Sequence, residues 1–315
     1  MGGDNAPAET VAGAVDASRR GVDVVLVGDH PVLEAELSKH DVHLPIVDAP
    51  EVIGMADDPT RALREKPEAS ITVASRLVAE GSASGMVSAG STGAAMAAAA
   101  IIIRRIPGLS RPAIASIVPT PGSKTVVLDS GANPDVTPQQ LAQFGIMGSV
   151  AAQVLLGVDS PRVGLLSNGE EKGKGRDLER AAHELLEAGP VNFIGNVEGR
   201  DIGTERADVI VTDGFTGNIF IKTMEGAARM IGRLALEEVS ALDPAIQEGA
   251  MPALMKLRQR LDWETYGGAQ LLGVNGVVVI AHGSSTRVAI SNALVLARDG
   301  AERDLTGRLA DELAS

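Results

Sequence analysis

The chain has 315 residues, of which 44% are hydrophobic and 22% charged, so whole-chain disorder is excluded and a large packed core is expected. It contains no cysteine, which rules out disulfides, thiolate metal sites and cysteine nucleophiles. The formal net charge of −13 gives no general attraction to nucleic-acid phosphates, and an aromatic content of 2% argues against base stacking, so no nucleic-acid partner is expected.

Short apolar runs alternate with helical patterns along the chain. Strands are predicted at 22–27, 45–48, 85–88, 113–118, 125–129, 163–166, 191–194, 209–212 and 277–281. Helices are predicted at 31–39, 70–80, 92–103, 138–156, 177–187, 217–239 and 285–298. This alternation predicts one α/β domain over 1–315, with a doubly wound, mostly parallel sheet and helices on both faces. Ligand sites are expected where the strand-to-helix turns gather at one edge of the sheet.

No targeting or spanning segment is predicted. The N-terminus lacks a basic start followed by an apolar run, and the longest strongly apolar stretch, 94–103, is about half the length that a bilayer requires. We therefore expect a cytoplasmic protein that is able to touch a membrane surface.

The turn after the third predicted strand is rich in small residues. Gly85 to Gly93 reads GMVSAGSTG, and it leads from the strand into a helix. The backbone N–H groups and hydroxyls of Ser91, Thr92 and Gly93 suit an anion at the helix N-terminus. The alternative is a simple helix cap in a tight turn.

A second glycine-rich loop, 165–175, contains Asn168 and Lys172. It lacks the GxxxxGK[ST] spacing of a Walker loop, yet lysines among glycines are able to hold a phosphate. The alternative is a flexible loop with solvated lysines. Arg200 follows the next predicted strand along the chain.

Two titratable residues in the C-terminal half of the chain each follow a predicted strand. Asp213 lies where a catalytic group of an open α/β sheet is expected, with helix capping as the alternative. His282, followed by Ser284, is a candidate acid or base and equally a candidate cap. The histidine spacing predicts no metal site, and the chain has no GxSxG or GxGxxG motif.

A basic amphipathic helical segment is predicted at about 243–263. Its apolar positions include Leu254, Leu257 and Leu261. Its basic positions are Lys256, Arg258 and Arg260. Packing on the core or on a second subunit remains open beside docking of an acidic protein or a membrane surface.

Nine short motifs, taken in order across nearly the whole chain, resemble the bacterial phosphate acyltransferases. They lie at 1–7 (MGGDNAP), 88–94 (SAGSTGA), 129–133 (DSGAN), 168–173 (NGEEKG), 197–202 (VEGRDI), 213–218 (DGFTGN), 266–269 (YGGA), 272–276 (LGVNG) and 282–285 (HGSS). Three departures accompany the resemblance. The family's apolar strand before MGGD is missing here, so we expect a truncated start or a sheet that lacks one strand. Ser91 replaces an asparagine that is common in relatives, and Asp129-Ser-Gly stands where Asp-Val-Gly is common.

The resemblance implies the fold of phosphotransacetylases and of isocitrate and isopropylmalate dehydrogenases. It also implies a homodimer that works without a cofactor, is able to associate with the membrane, and moves a fatty acyl group from acyl carrier protein to inorganic phosphate. The acyl phosphate then feeds a membrane glycerol-phosphate acyltransferase in phospholipid synthesis.

We predict direct attack of phosphate on the thioester. Phosphate is expected at Ser91, Thr92, Gly93, Arg200 and Ser284, and the catalytic candidates are Asp213, His282, Lys172, Asn168 and Asn218. The acidic carrier protein is expected at Lys256, Arg258 and Arg260, or alternatively at Arg104, Arg105 and Arg111. An acyl-CoA phosphotransacetylase, a decarboxylating dehydrogenase and a non-enzymatic membrane-surface scaffold remain as alternatives.

Overall fold

The computed structural model describes residues 1–261 and 263–314. Its strands are β1 (Leu26–Gly28), β2 (Ile46–Asp48), β3 (Gly85–Ser88), β4 (Ala113–Pro119), β5 (Lys124–Leu128), β6 (Arg162–Leu166), β7 (Asn192–Val197), β8 (Val209–Val211), β9 (Ala269–Leu272) and β10 (Val277–Ile280). Its α-helices are α1 (Ala8–Arg19), α2 (His30–Leu37), α3 (Pro59–Glu65), α4 (Ser70–Ala79), α5 (Thr92–Ala98), α6 (Pro138–Ala151), α7 (Asp177–Ala188), α8 (Gly214–Ser240), α9 (Pro244–Leu261), α10 (Arg287–Glu302) and α11 (Leu305–Ala314).

The predicted α/β class is confirmed, and each predicted strand and helix has a counterpart displaced by a few residues at most. Sequence reasoning missed β9, α1, α3 and α11. The missed strand β9 has only four residues and is enclosed by Gly267, Gly268 and Gly273, so it resembles a loop. The predicted helices 92–103 and 138–156 each end in a wider π turn rather than in regular α-helix.

Eight strands form the main sheet in the order β3-β10-β9-β4-β5-β8-β6-β7. Strand β9 runs antiparallel to both neighbours, and β4 runs antiparallel to β5. The remaining neighbours, β3 with β10 and β5 with β8, β6 and β7, are parallel. The first parallel group (β3 and β10) and the second parallel group (β5, β8, β6 and β7) therefore run in opposite directions. The prediction that all turns leave at one edge of the sheet is wrong.

Helix α6 packs closely on the second parallel group. Its buried side chains Leu141, Phe144 and Met147 meet the valines and leucines of β5, β6 and β8. A Cβ placed on Gly148 would lie 2.4 Å from Val209 Cγ1, so the helix needs glycine there to approach the sheet. This packing fixes the strands whose ends carry Asp129 and Asp213.

Strands β1 and β2 pair with each other in a separate two-stranded sheet. Between β1 and the edge strand β3 of the main sheet lies a cavity of about 670 Å³. Residues of both strands line it, and within the described part of the chain no strand occupies it.

Helices α8 and α9 carry an unusually apolar exposed surface. Few residues of α8 are buried and none of α9. Large apolar side chains are exposed at Phe215, Ile219, Met230, Ile231, Leu234, Leu236, Ile246, Met255, Leu257 and Leu261. Among the described residues, no helix is both long enough and apolar enough to cross a bilayer.

A partly buried ion pair, Arg162 with Asp208, links β5, β6 and β8. Asp208 Oδ2 accepts hydrogen bonds from Arg162 N at 2.8 Å and from Arg162 Nε at 2.9 Å, and Oδ1 accepts from Nη2 at 3.0 Å. The Asp208 carbonyl also accepts from Val126 N. Burial alone would raise the pKa of Asp208, but the Arg162 hydrogen bonds outweigh it and hold the pKa below its ordinary value.

We expect Asp208→Asn to lower the free energy of unfolding by about 1–2 kcal/mol near neutral pH, because charged hydrogen bonds are lost beside a half-exposed arginine. The native pKa lies below the unfolded one, so this stabilisation is present above the ordinary aspartate pKa and disappears as pH falls through the native value. Urea unfolding at several pH values tests it. The exposed Asp177→Asn should cost nothing, and a difference that persists unchanged at acid pH would contradict the prediction.

Candidate active site

A cavity of about 390 Å³ lies on one face of the main sheet, between β4, the turns after β3 and β10, and helix α8. Its polar lining residues are Thr92, Ser116, Ser130, Asn218, Lys222, Glu225, Tyr266 and His282. They follow strands of both parallel groups. Helix α8 makes this possible because it begins at the end of β8 and brings its side chains to His282. Turns that leave opposite ends of the sheet therefore share one cavity.

Lys222, beside His282, forms the cationic corner of this cavity. Lys222 Nζ lies 3.3 Å from His282 Nε2 and 2.9 Å from Glu225 Oε2. The ammonium is a donor, so Nε2 accepts and the ring proton is assigned to Nδ1. Nδ1 is 3.0 Å from Ser284 Oγ, to which it donates. Ser284 thus orients His282 and is not itself among the lining residues.

The N-terminal segment forms hydrogen bonds with the turn that carries His282. Asp4 N donates to Gly283 O at 2.7 Å, and Asn5 Nδ2 donates to Ser284 O at 3.2 Å. A Cβ on Gly2 would lie 2.8 Å from Gly90 Cα, so Gly2 lets the segment touch the glycine-rich turn. The sequence motif MGGDN therefore joins the turns after β3 and β10.

The predicted phosphate turn reaches the cavity only in part. Gly90 and Thr92 line it. Ser91 is buried, and its Oγ accepts from Ala94 N at 3.4 Å, so it caps α5 as the alternative interpretation held. Gly93 faces Pro59, whose Cγ would be 3.0 Å from an added Cβ.

Asp129 is fully buried at the end of β5, where its carboxylate accepts five hydrogen bonds. The donors are Ile114 N at 3.0 Å, Gly131 N at 3.1 Å, Ala132 N at 2.9 Å, Asn133 N at 2.7 Å and Asn133 Nδ2 at 2.8 Å. Burial raises the pKa of Asp129, and these donors oppose that shift. The carboxylate thereby fixes the turn that carries Ser130.

Two contacts continue from this turn. Ser130 Oγ is 2.7 Å from Ser116 Oγ and donates to Ile114 O at 3.0 Å, so the hydroxyl pair on the cavity wall is held by β4. A Cβ on Gly217 would lie 1.9 Å from Asp129 O. Helix α8 can therefore approach the Asp129 turn only with glycine at this position.

Asp213 begins α8 rather than lining the cavity. Its Oδ1 accepts from Thr216 N at 2.8 Å, and its Oδ2 accepts from Thr216 Oγ1 at 2.8 Å and Arg176 Nη2 at 2.5 Å. Burial by itself would raise the pKa of Asp213, but the Thr216 and Arg176 hydrogen bonds hold it below its ordinary value. The capping alternative describes this geometry, and the carboxylate positions α8 and its polar side chains.

The structure does not bring Asn168, Lys172 and Arg200 to the cavity. Lys172 pairs with Glu187 on α7. Asn168 Oδ1 accepts from Gly175 N at 2.9 Å within its own loop. Arg200 pairs with Glu198 and Glu170. All three follow β6 or β7, at the edge of the sheet opposite β3, and the sequence could not reveal that strand order.

Helix α9 reaches the apolar end of the cavity with its last turn. Leu261 lines the cavity, whereas Leu254 is half-buried and Leu257 exposed. Lys256, Arg258 and Arg260 are all exposed, and Arg260 Nη2 donates to Pro121 O at 2.7 Å. The predicted basic segment is thus helical at Pro244–Leu261, and its residue 262 lies outside the described residues.

Ser116, Ser130 and Lys222 line the cavity but were given no role from the sequence. Ser116 gives no signal within an apolar strand, while Ser130 lies in the DSGAN motif used only for the resemblance. Lys222 follows Asn218 by four residues, which is the spacing of one helix face. Within the described ranges, no three His, Asp or Glu side chains lie close enough to hold a metal ion.

Comparison with known proteins gives consistent results. The family model described as fatty acid synthesis protein matches residues 1–308. The phosphate acyltransferase of Pelotomaculum thermopropionicum is 47% identical over 320 residues, covering 100% of this chain and 94% of that protein. That of Desulforamulus reducens is 46% identical over 317 residues, covering 99% of this chain and 95% of that protein.

Two solved structures share the fold. A phosphotransacetylase from Streptococcus pyogenes has a TM-score of 0.64 at 19% identity and covers 94% of this chain and 92% of its own. The EutD phosphotransacetylase from Staphylococcus aureus has a TM-score of 0.59 at 18% identity and covers 92% and 90%. The chain therefore belongs to the fatty acid synthesis protein family, whose members similar to it carry the name phosphate acyltransferase.

Proposed function

We propose that this protein transfers a long-chain acyl group from the thioester of acyl carrier protein to inorganic phosphate, giving acyl phosphate for phospholipid synthesis. The observation that carries the proposal is a single cavity with a cationic end at Lys222, beside His282, and an apolar end at Ile221 and Met224. Phosphate needs the first and a fatty chain needs the second. The names of the relatives support the same reaction.

The chemistry needs no covalent enzyme intermediate. A phosphate oxygen adds to the thioester carbonyl carbon, the carbonyl electrons move onto its oxygen, and they return as the C–S bond breaks. The leaving thiol has an ordinary pKa of about 8.5, so it leaves readily as thiolate. The absence of cysteine from the chain suits this direct attack.

The cavity residues take roles by their chemistry. Lys222 and His282 hold phosphate, with the Thr92 hydroxyl as a further donor. The Asn218 amide stabilises the oxyanion, and His282 Nε2 takes the proton that the attacking phosphate loses and passes it to the departing thiolate. Asp213 and Ser91 position α8 and α5, so they act on the reaction through other groups.

We further propose that the basic end of α9 meets acyl carrier protein. Carrier proteins of this class are acidic, and this chain carries −13, so contact requires a local positive surface. Lys256 and Arg258 are exposed, and Arg260 touches the β4–β5 hairpin beside the cavity. A carrier bound there would lie beside the cavity, with its thioester reaching in to Asn218.

The exposed apolar side chains of α8 suit a second copy of the chain. Met230, Ile231 and Leu234 are each more than half exposed, an arrangement unusual for an unpartnered helix. We propose a homodimer that is cytoplasmic and peripheral at the inner face of the membrane. There the acyl phosphate would pass to the membrane glycerol-phosphate acyltransferase.

The reaction is tested by incubating the purified chain with long-chain acyl carrier protein and phosphate, then trapping product with hydroxylamine. We expect hydroxamate that depends on phosphate, and faster reaction than with the matching acyl-CoA. Loss of thioester without phosphate would indicate a thioesterase instead. Equal or faster reaction with acyl-CoA would favour a CoA-dependent phosphotransacetylase.

Replacing Lys222 with methionine keeps the apolar stem and removes the charge. We expect kcat/KM for phosphate to fall by roughly 10–100-fold, because the cationic corner loses its fixed charge. Lys172→Met, which breaks only the exposed pair with Glu187, should have a much smaller effect. A larger loss from Lys172→Met than from Lys222→Met would place phosphate in the loop after β6.

Reversing two charges on α9, Lys256→Glu with Arg258→Glu, should raise the KM for acyl carrier protein by at least about threefold at low salt. The KM for acyl-CoA, which lacks the acidic carrier, should stay unchanged. Lys39→Glu with Arg19→Glu makes the same change in net charge on a remote surface and is the control. Binding of the protein to lipid vesicles is measured as well. If the α9 reversal changes neither the KM for acyl carrier protein nor vesicle binding, α9 serves in packing alone.

A further inference from the structure

The α8 wall of the cavity changes character along the helix. Asn218 and Lys222 are followed by lining residues Met224 and Ala228. Lys222 lies beside His282, and the lining becomes apolar at Met224 and Ala228. A ligand with a polar head and an alkyl tail therefore fits with its head at Lys222 and its tail towards Ala228.

The lining positions of α8 follow one helix face. Asn218, Ile221, Met224, Glu225 and Ala228 recur at spacings of three and four residues along the cavity. Ten residues of helix separate the first from the last, a distance of about 15 Å. The one charged group among them, the Glu225 carboxylate, is bound by Lys222 at 2.9 Å and so belongs to the polar end.

Ala228 is the last α8 residue that lines the cavity, and its side chain is the smallest of the α8 side chains there. Leu261 and Tyr266 also line the cavity. Space at this end therefore depends on the volume of residue 228. A larger side chain would remove room for the terminal part of an alkyl chain and leave the polar end untouched.

We infer that the acyl chain lies along α8 from Asn218 to Ala228, and that Ala228 sets the longest chain the enzyme accepts. The inference rests on the proposed acyl transfer and names the part of the cavity that holds the tail. Each methylene group that loses its place in an apolar site costs about fourfold in kcat/KM. Short chains that end before Ala228 lose nothing.

The test measures phosphate-dependent hydroxamate with carrier protein bearing 8-, 12- and 16-carbon acyl chains. Ala228→Phe should lower the ratio of kcat/KM for the longest chain to that for the shortest by at least about tenfold. Activity on the shortest chain should stay within about twofold. Ala228→Leu, a smaller change, should shift the ratio in the same direction by less, and it serves if the phenylalanine variant does not fold.

Ala227→Phe is the matched control, because this neighbouring residue of α8 is half-buried but does not line the cavity. It should leave the ratio unchanged. An unchanged ratio in both Ala228 variants, or an equal loss for all chain lengths, overturns the inference while the proposed reaction stands. Absence of phosphate-dependent product from the unaltered protein at every chain length would instead overturn the proposed function.

Discussion

The buried carboxylate of Asp129 is the constraint on which the geometry of the site depends. It takes hydrogen bonds from β4 through Ile114 and from the turn ending at Asn133. Its backbone carbonyl packs directly against α8 at Gly217. A carboxylate with this many N–H donors tolerates burial because each lone pair is satisfied. One charged group thereby fixes strand, turn and helix relative to one another.

The reversal of strand direction inside the main sheet has a functional consequence. In a fully parallel sheet, Thr92, Ser130, Asn218 and His282 would follow strands that end at one edge. Here β9 and β4 separate two oppositely directed groups, and the long helix α8 brings the second group's side chains back to the first. The cavity therefore lies against one face of the sheet rather than at its edge. Apolar side chains of that face line it beside the polar end.

Much of the fold could be predicted from the sequence, because apolar runs such as those of β5 and β10 have few alternatives to burial. The site was harder to predict. Asp213 and Lys172 both follow strands, yet one caps α8 and the other pairs with Glu187 at the far edge of the sheet. Local spacing does not specify strand order, which depends on long-range packing. The cavity brings together His282, Thr92 and Asn218, which were among the residues predicted for the site, whereas Lys222, one helical turn after the motif, was given no role.

Phosphate and the acyl chain are proposed to bind at two ends of one cavity. A crystal structure with inorganic phosphate and an unreactive acyl thioester analogue tests that placement most directly. We expect phosphate beside Lys222 and His282, with the alkyl chain along Met224 towards Ala228. Phosphate bound in the 168–175 loop beside Lys172, with the cavity empty, would contradict the account.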